Sequence, residues 1–291
     1  MKQLSISILS DLHLDMHFRA LKQTKEHIIE FFDPIFRPGG KEPADILVIA
    51  GDLGHYNSEN LRIITYLKDL YFKHIICVLG NHDYYLLHRL QQLDYGTNSF
   101  KRVEEMREQL NSIDGIDCLN GNVVEIEGVR FGGCDGWYDG QYLLKNLDPK
   151  GIYTLSRPRE LWNYTMNDAA YIFGIKRFDE IWEIEKAKIE AVYKECDVMI
   201  THVSPSVIPE HIPEKFYREE DSTCFFTFDG EEYVKNTSAK VWIYGHTHTP
   251  NDFEWHGVRL ICNQLGYPGE IKNVCEKRIE LEIADCDLKS D

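Results

Sequence analysis

The sequence predicts an α/β fold with a metal site at the carboxyl ends of its strands. Short apolar runs at 4–9, 46–50, 75–79, 198–200 and 241–244 are β-branched or aromatic and stop at polar residues, as buried strands do. Helical periodicities separate the first three, so strands and helices alternate as parallel pairing with crossovers requires. All five runs end in side chains that bind metals: Asp11-Leu12-His13, Gly51-Asp52, Gly80-Asn81-His82-Asp83, Thr201-His202 and Gly245-His246-Thr247-His248. Ligands in open α/β sheets collect beyond the carboxyl ends of strands, so the pattern brings five distant segments to one sheet edge.

Taken in order, residues 19–33 carry Leu21, Ile28, Ile29 and Phe32 at helical spacing, with Pro34, Pro38, Gly39 and Gly40 as the stop. Leu61, Ile64, Leu67 and Tyr71 repeat that period, and a further helix is expected around 97–111. Residues 123–126 and 129–133 flank Glu127-Gly128 and read as a β-hairpin. A stretch dense in aromatics follows at 135–174, then a helix at 178–193 with Ile181, Trp182, Ile189 and Val192 on one face. Residues 259–262 and 278–283 alternate as strands, which predicts a second, more antiparallel sheet. A single domain over 1–291 is expected, with an aromatic-rich insertion at about 135–175.

Composition narrows the function. A net charge of −16 argues against long nucleic-acid duplexes and acidic membranes, whose binding rests on many Lys and Arg contacts. It leaves room for a phosphorylated small molecule or short nucleotide as substrate, since bound cations would make the pocket locally positive. No stretch approaches the roughly 18 apolar residues of a membrane helix. Asp11 and His13 interrupt the faint resemblance of the first ten residues to a signal sequence, so a cytoplasmic protein is expected. The eight cysteines show no C-x-x-C pairing, and reduced thiols acting as small hydrophobes are the simpler reading. Oligomeric state is not legible in the sequence.

The polar residues point to two-metal chemistry. Asp11 and His13 are two apart, so in an extended segment both face one side and can grip one ion, and His246 and His248 share that spacing. Oxygen and nitrogen donors without cysteine suit manganese, iron, zinc, nickel or cobalt in expanded coordination. A carboxylate can span two ions about 3.5–4 Å apart, and Asp52, the lone acid after Gly51, is the natural bridge.

In order and character, Asp11-x-His13, Gly51-Asp52, Gly80-Asn81-His82-Asp83, His202 and Gly245-His246-x-His248 resemble the signature of the calcineurin-like metallophosphoesterases. The resemblance covers residues 9–248 and implies a four-layer sandwich of two mixed sheets flanked by helices. It implies that Asp11, His13, Asp52 and His248 hold one metal and that Asp52, Asn81, His202 and His246 hold the other. It also implies that His82 donates a proton to the leaving oxygen or stabilises the phosphoryl transition state, and that Asp83 orients His82. The expected activity is phosphoester hydrolysis, metal-activated hydroxide attacking phosphorus and a general acid assisting departure.

Departures from the best-known branch sharpen this. Protein Ser/Thr phosphatases of the superfamily follow the bridging Asp with an acid-Arg-Gly segment and use Asn-His-Glu; here Leu53-Gly54-His55-Tyr56-Asn57 follows Asp52, and Asp83 stands for Glu. Without the phosphate-clamping Arg, diesters are placed slightly ahead of monoesters. A phosphomonoesterase or protein-phosphatase-like enzyme is the alternative, and a non-catalytic module on the same fold is a remote one. The segments 131–137, 166–168 and 262–268 resemble uncharacterised prokaryotic members. His55 and Tyr56 are candidate substrate contacts, as are Trp137 and Tyr138, although aromatics of such an insertion serve mostly in packing. The long irregular stretch 204–228, with Pro205, Pro209, His211, Pro213 and Tyr217, is expected to wall the pocket.

Overall fold

The five apolar runs form strands, and the pattern of their burial sets the layers. The computed structural model describes residues 3–18, 23–271 and 274–282. In chain order the elements are β1 (Gln3–Leu9), α1 (Leu14–His17), α2 (Lys25–Phe36), β2 (Ile46–Ala50), α3 (Asn57–Tyr71), β3 (His74–Val78), α4 (Arg89–Asp94), α5 (Ser99–Asn111) and β4 (Ile116–Cys118). They continue as β5 (Asn122–Ile126), β6 (Val129–Gly133), α6 (Gln141–Asn146), α7 (Ser156–Thr165), α8 (Asn167–Tyr171), α9 (Phe178–Val192), β7 (Val198–Ile200), α10 (Glu231–Asn236), β8 (Val241–Tyr244), β9 (Asn251–Trp255), β10 (Val258–Cys262) and β11 (Lys277–Glu282).

Two mixed sheets result, ordered β11-β1-β2-β3-β4 and β5-β6-β7-β8-β10-β9. Alternate residues of the strands meet between the sheets: Ile6, Ile8 and Val48 from the first pack with Phe131, Ile200 and Ile243 from the second. The opposite faces of the strands carry Leu47, Ile49, Ile75 and Cys77, which join Ile63 and Leu67 of α3 and Met106 and Leu110 of α5 under the helices. Ile181 and Ile189 of α9, with Met199 and Trp242, belong to the same outer cluster. Burial on both faces explains why the parallel strands read as continuous apolar runs. Layers of helix, sheet, sheet and helix follow, as the resemblance implied.

The structure corrects several sequence expectations. Helix α2 continues through Pro34 to Phe36, because Ile35 and Phe36 extend the buried face begun by Ile28 and Phe32 and offset the backbone hydrogen bond that proline cannot donate. Its expected beginning, with Leu21, lies outside the described residues, as does Ile283 at the far end of the last strand. The C-terminal strands join different sheets: β11 runs antiparallel to β1 on the first, while β10 lies in the second, parallel to β8 and antiparallel to β9. Antiparallel pairing is confined to sheet margins. The hairpin at Glu127-Gly128 has φ of 51° and 82° at its two turn residues, as a two-residue primed turn demands. In the aromatic stretch, Trp137, Tyr138, Tyr142 and Trp162 are buried among short helices. The cysteines of the described residues are free, and all but Cys275 are buried. No helix among the described residues is long and apolar enough to cross a membrane.

A buried ion pair fixes the strand ends to the helical layer. The Arg107 guanidinium of α5 donates to Asp135, which also accepts from Tyr84 Oη at 2.8 Å and from the Leu79 amide at 2.8 Å. Burial works against the Asp135 carboxylate, but Arg107 and Lys188 hold it below its ordinary range. Arg107→Met would leave that charge buried and unpaired, a loss of about 3–5 kcal/mol measurable as a lowered urea midpoint. A loss under about 1 kcal/mol would show that Asp135 has other means of compensation.

Candidate functional site

Parallel strands within each sheet deliver their carboxyl ends to one edge, where the loops interlock. Asp11 and His13 amides donate to Gly51 and Asp52 carbonyls at 3.0 Å, and Gly245 donates to the His202 carbonyl at 2.8 Å. The His246 amide donates to Asp11 Oδ1 at 3.0 Å, which links the two sheets. Of eight described non-glycine residues with positive φ, five are Asp11, His13, Asp52, His246 and His248. Such backbone costs of order 1–3 kcal/mol per residue and clusters where function over-determines geometry. Glycine is needed at 80 and 245: a Cβ at Gly80 would fall on Asp52 and His202, and one at Gly245 would lie 2.7 Å from the Ala50 carbonyl.

These loops produce two donor clusters that share one residue. Asp11, His13, Asp52 and His248 form one, and Asp52, His202 and His246 the other, each with its donor atoms within 4.8 Å of one another. Asp52 Oδ2 faces His13 Nε2 at 3.8 Å and Asp52 Oδ1 faces His202 Nε2 at 3.5 Å, so its two oxygens address different clusters. Asn81 Oδ1 lies 3.2 Å from His202 Nε2. Its amide nitrogen donates to Asp168 Oδ1 at 2.8 Å, which turns the oxygen toward the second cluster.

Three imidazoles are held by the nitrogen that faces away. His202 Nδ1 donates to the Ala50 carbonyl, His246 Nε2 to the Phe225 carbonyl and His248 Nδ1 to Glu270, each at 2.8 Å. Metal-ligating histidines are oriented in this way. Burial pushes His13 and His246 down to about 4, leaving neutral rings suited to ligation. Burial also disfavours charge on His202 and His248, yet Asp52 raises the first to about 10 and Asp11 raises the second to about 9. The carboxylates therefore demand positive charge where these rings face them, which a metal ion meets as well as a proton. His13 Nε2 and His248 Nε2 lie 3.1 Å apart, a convergence that a shared cation accounts for. The donor set fits two metal ions.

His82 stands beside the clusters, its Nε2 4.0 Å from Asp52 Oδ2 and 3.3 Å from Tyr267 Oη. Its amide donates to Asp52 Oδ1 at 2.9 Å. Asp83 does not reach the His82 ring, contrary to the expectation that it orients it. Both residues lie on the 3₁₀ turn Asn81–Tyr84, where consecutive side chains diverge by about 120°. The Asp83 carboxylate instead accepts from the amides of Gly80, Leu53 and Gly54 and ties two loops together. The side chain that meets His82 Nδ1 is His55, whose Nε2 is 2.9 Å away.

Residues 4–250 match the family described as calcineurin-like phosphoesterase. The chain belongs to that family. It is 23% identical over 252 residues to an uncharacterised protein of Acanthamoeba polyphaga mimivirus, covering 80% of this chain and 83% of the relative. Its fold matches that of the phosphopantetheinyl hydrolase from Mycobacterium tuberculosis with a TM-score of 0.62 at 18% identity, over 95% of this chain and 96% of the other. This calcineurin-like phosphoesterase is accordingly a metal-dependent phosphoester hydrolase, and the paired Asp/His clusters are groups that could hold its metal.

A cavity of about 350 Å³ opens over Asp52, Asn81, His82, His246 and His248. The 204–228 segment walls it with Ser204, Ser206, His211, Tyr217 and Thr227, as its place in the sequence suggested. His55, Tyr56, Trp137 and Tyr138, the candidate substrate contacts, do not line it. His55 is buried behind His82, and Tyr56 stacks on His88. Trp137 and Tyr138 are wholly buried; Tyr138 donates its hydroxyl to Asp168 and accepts from Trp162 Nε1 at 2.6 Å. The 135–175 segment thus acts from behind, through Asp168, on the orientation of Asn81. It also reaches the cavity directly with Thr165, Met166 and Asn167. Arg157 and Arg159 of the same segment pair elsewhere, with Asp221 and Asp179.

Tyr267 and Glu270 line the cavity and were not singled out individually, although 262–268 stood out as a segment. Asp168 lay within the singled-out 166–168. Asp15 gave only the faint signal of an acid two residues after His13.

Proposed function

We propose that this calcineurin-like phosphoesterase hydrolyses phosphodiesters whose arms carry no further negative charge. Asp11, His13, Asp52 and His248 would hold one ion and Asp52, Asn81, His202 and His246 the other, with Asp52 shared between the two sets. Two ions held there would supply an activated hydroxide and stabilise charge on the phosphoryl group. The chain's own residues do the rest. The cavity seats the substrate against the clusters, and His82 Nε2 faces the position where a leaving oxygen would depart.

Burial pushes the His82 imidazole down to about 3, with Asp52 the main opposing pull. The ring therefore takes its second proton only with an anion alongside, and a substrate phosphate supplies that attraction. Protonated at Nε2 in this way, the ring can pass that proton to the departing alkoxide.

The observation that carries the diester reading is the charge of the walls. Among the described residues lining the cavity there is no Lys or Arg, while Glu270 sits at the site on His248. The clusters contain two carboxylates, Asp11 and Asp52, so two divalent ions leave about two positive charges, which a hydroxide and Glu270 further reduce. A monoanionic diester suits that remainder better than a dianionic monoester. Thr165, Asn167, Ser206, Thr227 and Asn251 offer neutral hydrogen bonds beside Met166, Ile212 and Phe226, a surface for an uncharged polar and alkyl arm. The buried free thiols suit a reducing compartment, which supports a cytoplasmic setting.

The test is turnover of bis(p-nitrophenyl) phosphate against p-nitrophenyl phosphate after chelation and restoration of Mn²⁺. The diester is expected to show at least a tenfold larger kcat/KM, equivalent to about 1.4 kcal/mol. A monoester preference of that size would overturn the reading.

A further inference from the structure

We propose that His55 and Asp15 are positioning residues for His82, forming a His82–His55–Asp15 chain that fixes the tautomer and aim of the proton donor. The inference rests on His82 being that donor. Asp15 Oδ2 accepts from His55 Nδ1 at 2.9 Å, and Asp15 Oδ1 accepts from the His55 amide at 3.0 Å. With the Nδ1 proton committed to Asp15, His55 Nε2 is a bare acceptor. It lies 2.9 Å from His82 Nδ1, which must then carry the proton. The exchangeable nitrogen of His82 is left as Nε2, the atom that faces Asp52 and the cavity.

The surrounding packing holds this chain in place. His55 is buried, and its carbonyl accepts from Gln91 Nε2 at 2.7 Å. Its ring lies near Tyr85, which also packs on His82 with centroids 4.5 Å apart. The close approach of Asp15 depends on Gly54: a Cβ there would sit 2.7 Å from Asp15 Oδ1. The Gly54 carbonyl accepts from Asn60 Nδ2 and Arg102 Nη2, which anchors the loop that carries His55. A histidine held by a carboxylate in one tautomer is how other enzymes aim a general acid or base. Here a second imidazole stands between the two.

Asp15→Asn tests this with little change of shape. Asparagine has one acceptor oxygen for the two donors of His55, so its amide nitrogen must face either the ring or the backbone. If it faces the ring, His55 adopts the other tautomer and presents Nε2–H to His82 Nδ1–H. His55→Ala removes the link, and His55→Gln returns an acceptor oxygen. The readout is turnover of methyl aryl phosphate diesters with 4-nitrophenol or the more basic phenol as leaving group, together with metal content.

In Asp15→Asn and His55→Ala, phenyl-ester turnover should fall about 10²-fold and nitrophenyl turnover less than tenfold, because general-acid assistance matters more for the poorer leaving group. KM and metal content should hold, and His55→Gln should recover much of the phenyl-ester rate. Equal losses on both esters, or no loss, with metals retained in Asp15→Asn, would overturn the positioning role. Failure of the wild-type chain to hydrolyse any diester would instead overturn the proposed function on which this role rests.

Discussion

His82→Ala is expected to lower kcat on a diester by about 10²–10⁴-fold, the usual worth of a positioned acid or base, while both metal ions stay bound. The ring contributes no donor atom to either cluster, so its loss removes proton transfer and leaves the ligands in place. The loss should be larger for alkyl or phenyl leaving groups than for p-nitrophenol. Unchanged rate at full metal content would remove His82 from the chemistry. Substitution of Asp83 should act differently. Its carboxylate braces three backbone amides, so Asp83→Ala should lower stability and metal content together, through the loops and not through His82.

Asp52→Ala should be more damaging still. One carboxylate faces both clusters and also accepts the His82 amide, so its removal disturbs both ions and the donor at once. Lewis-acid stabilisation of the phosphoryl group is worth several kcal/mol, and about 1.4 kcal/mol is a factor of ten, so the rate should fall by at least about 10³-fold. Elemental analysis should show fewer than two ions per chain in the variant. Two tightly held ions with a loss of less than tenfold would mean that the bridge lies elsewhere.

Much of the scaffold of this site was legible in the sequence because strands buried on both faces leave unbroken apolar runs, and each run ends where its chemistry begins. Asp11, Asp52, Asn81, His202 and His246 sit directly at such ends, and the structure brings them together. What was less legible depends on contacts between distant segments. The direction of the Asp83 side chain follows from a 3₁₀ turn that periodicity does not reveal, and its separation from His82 follows from that. His55 was visible as a polar residue near the site, but its place behind His82 depends on Asp15 folding back past Gly54. Trp137 and Tyr138 read as packing residues first and cavity residues second, because aromatics serve both ends; burial of Trp137 against Tyr84 and of Tyr138 against Asp168 and Phe178 assigns both to packing. The path of β11 was unreadable for the same reason, since an alternating strand does not state which sheet edge it joins.

The most direct test of the two-metal account is a titration of the chelated protein with Mn²⁺, following bis(p-nitrophenyl) phosphate turnover against ions bound per chain. The account predicts no turnover at the start and a rise that saturates at two ions. Turnover that survives complete removal of metal, or that reaches its maximum at one ion per chain, would contradict it.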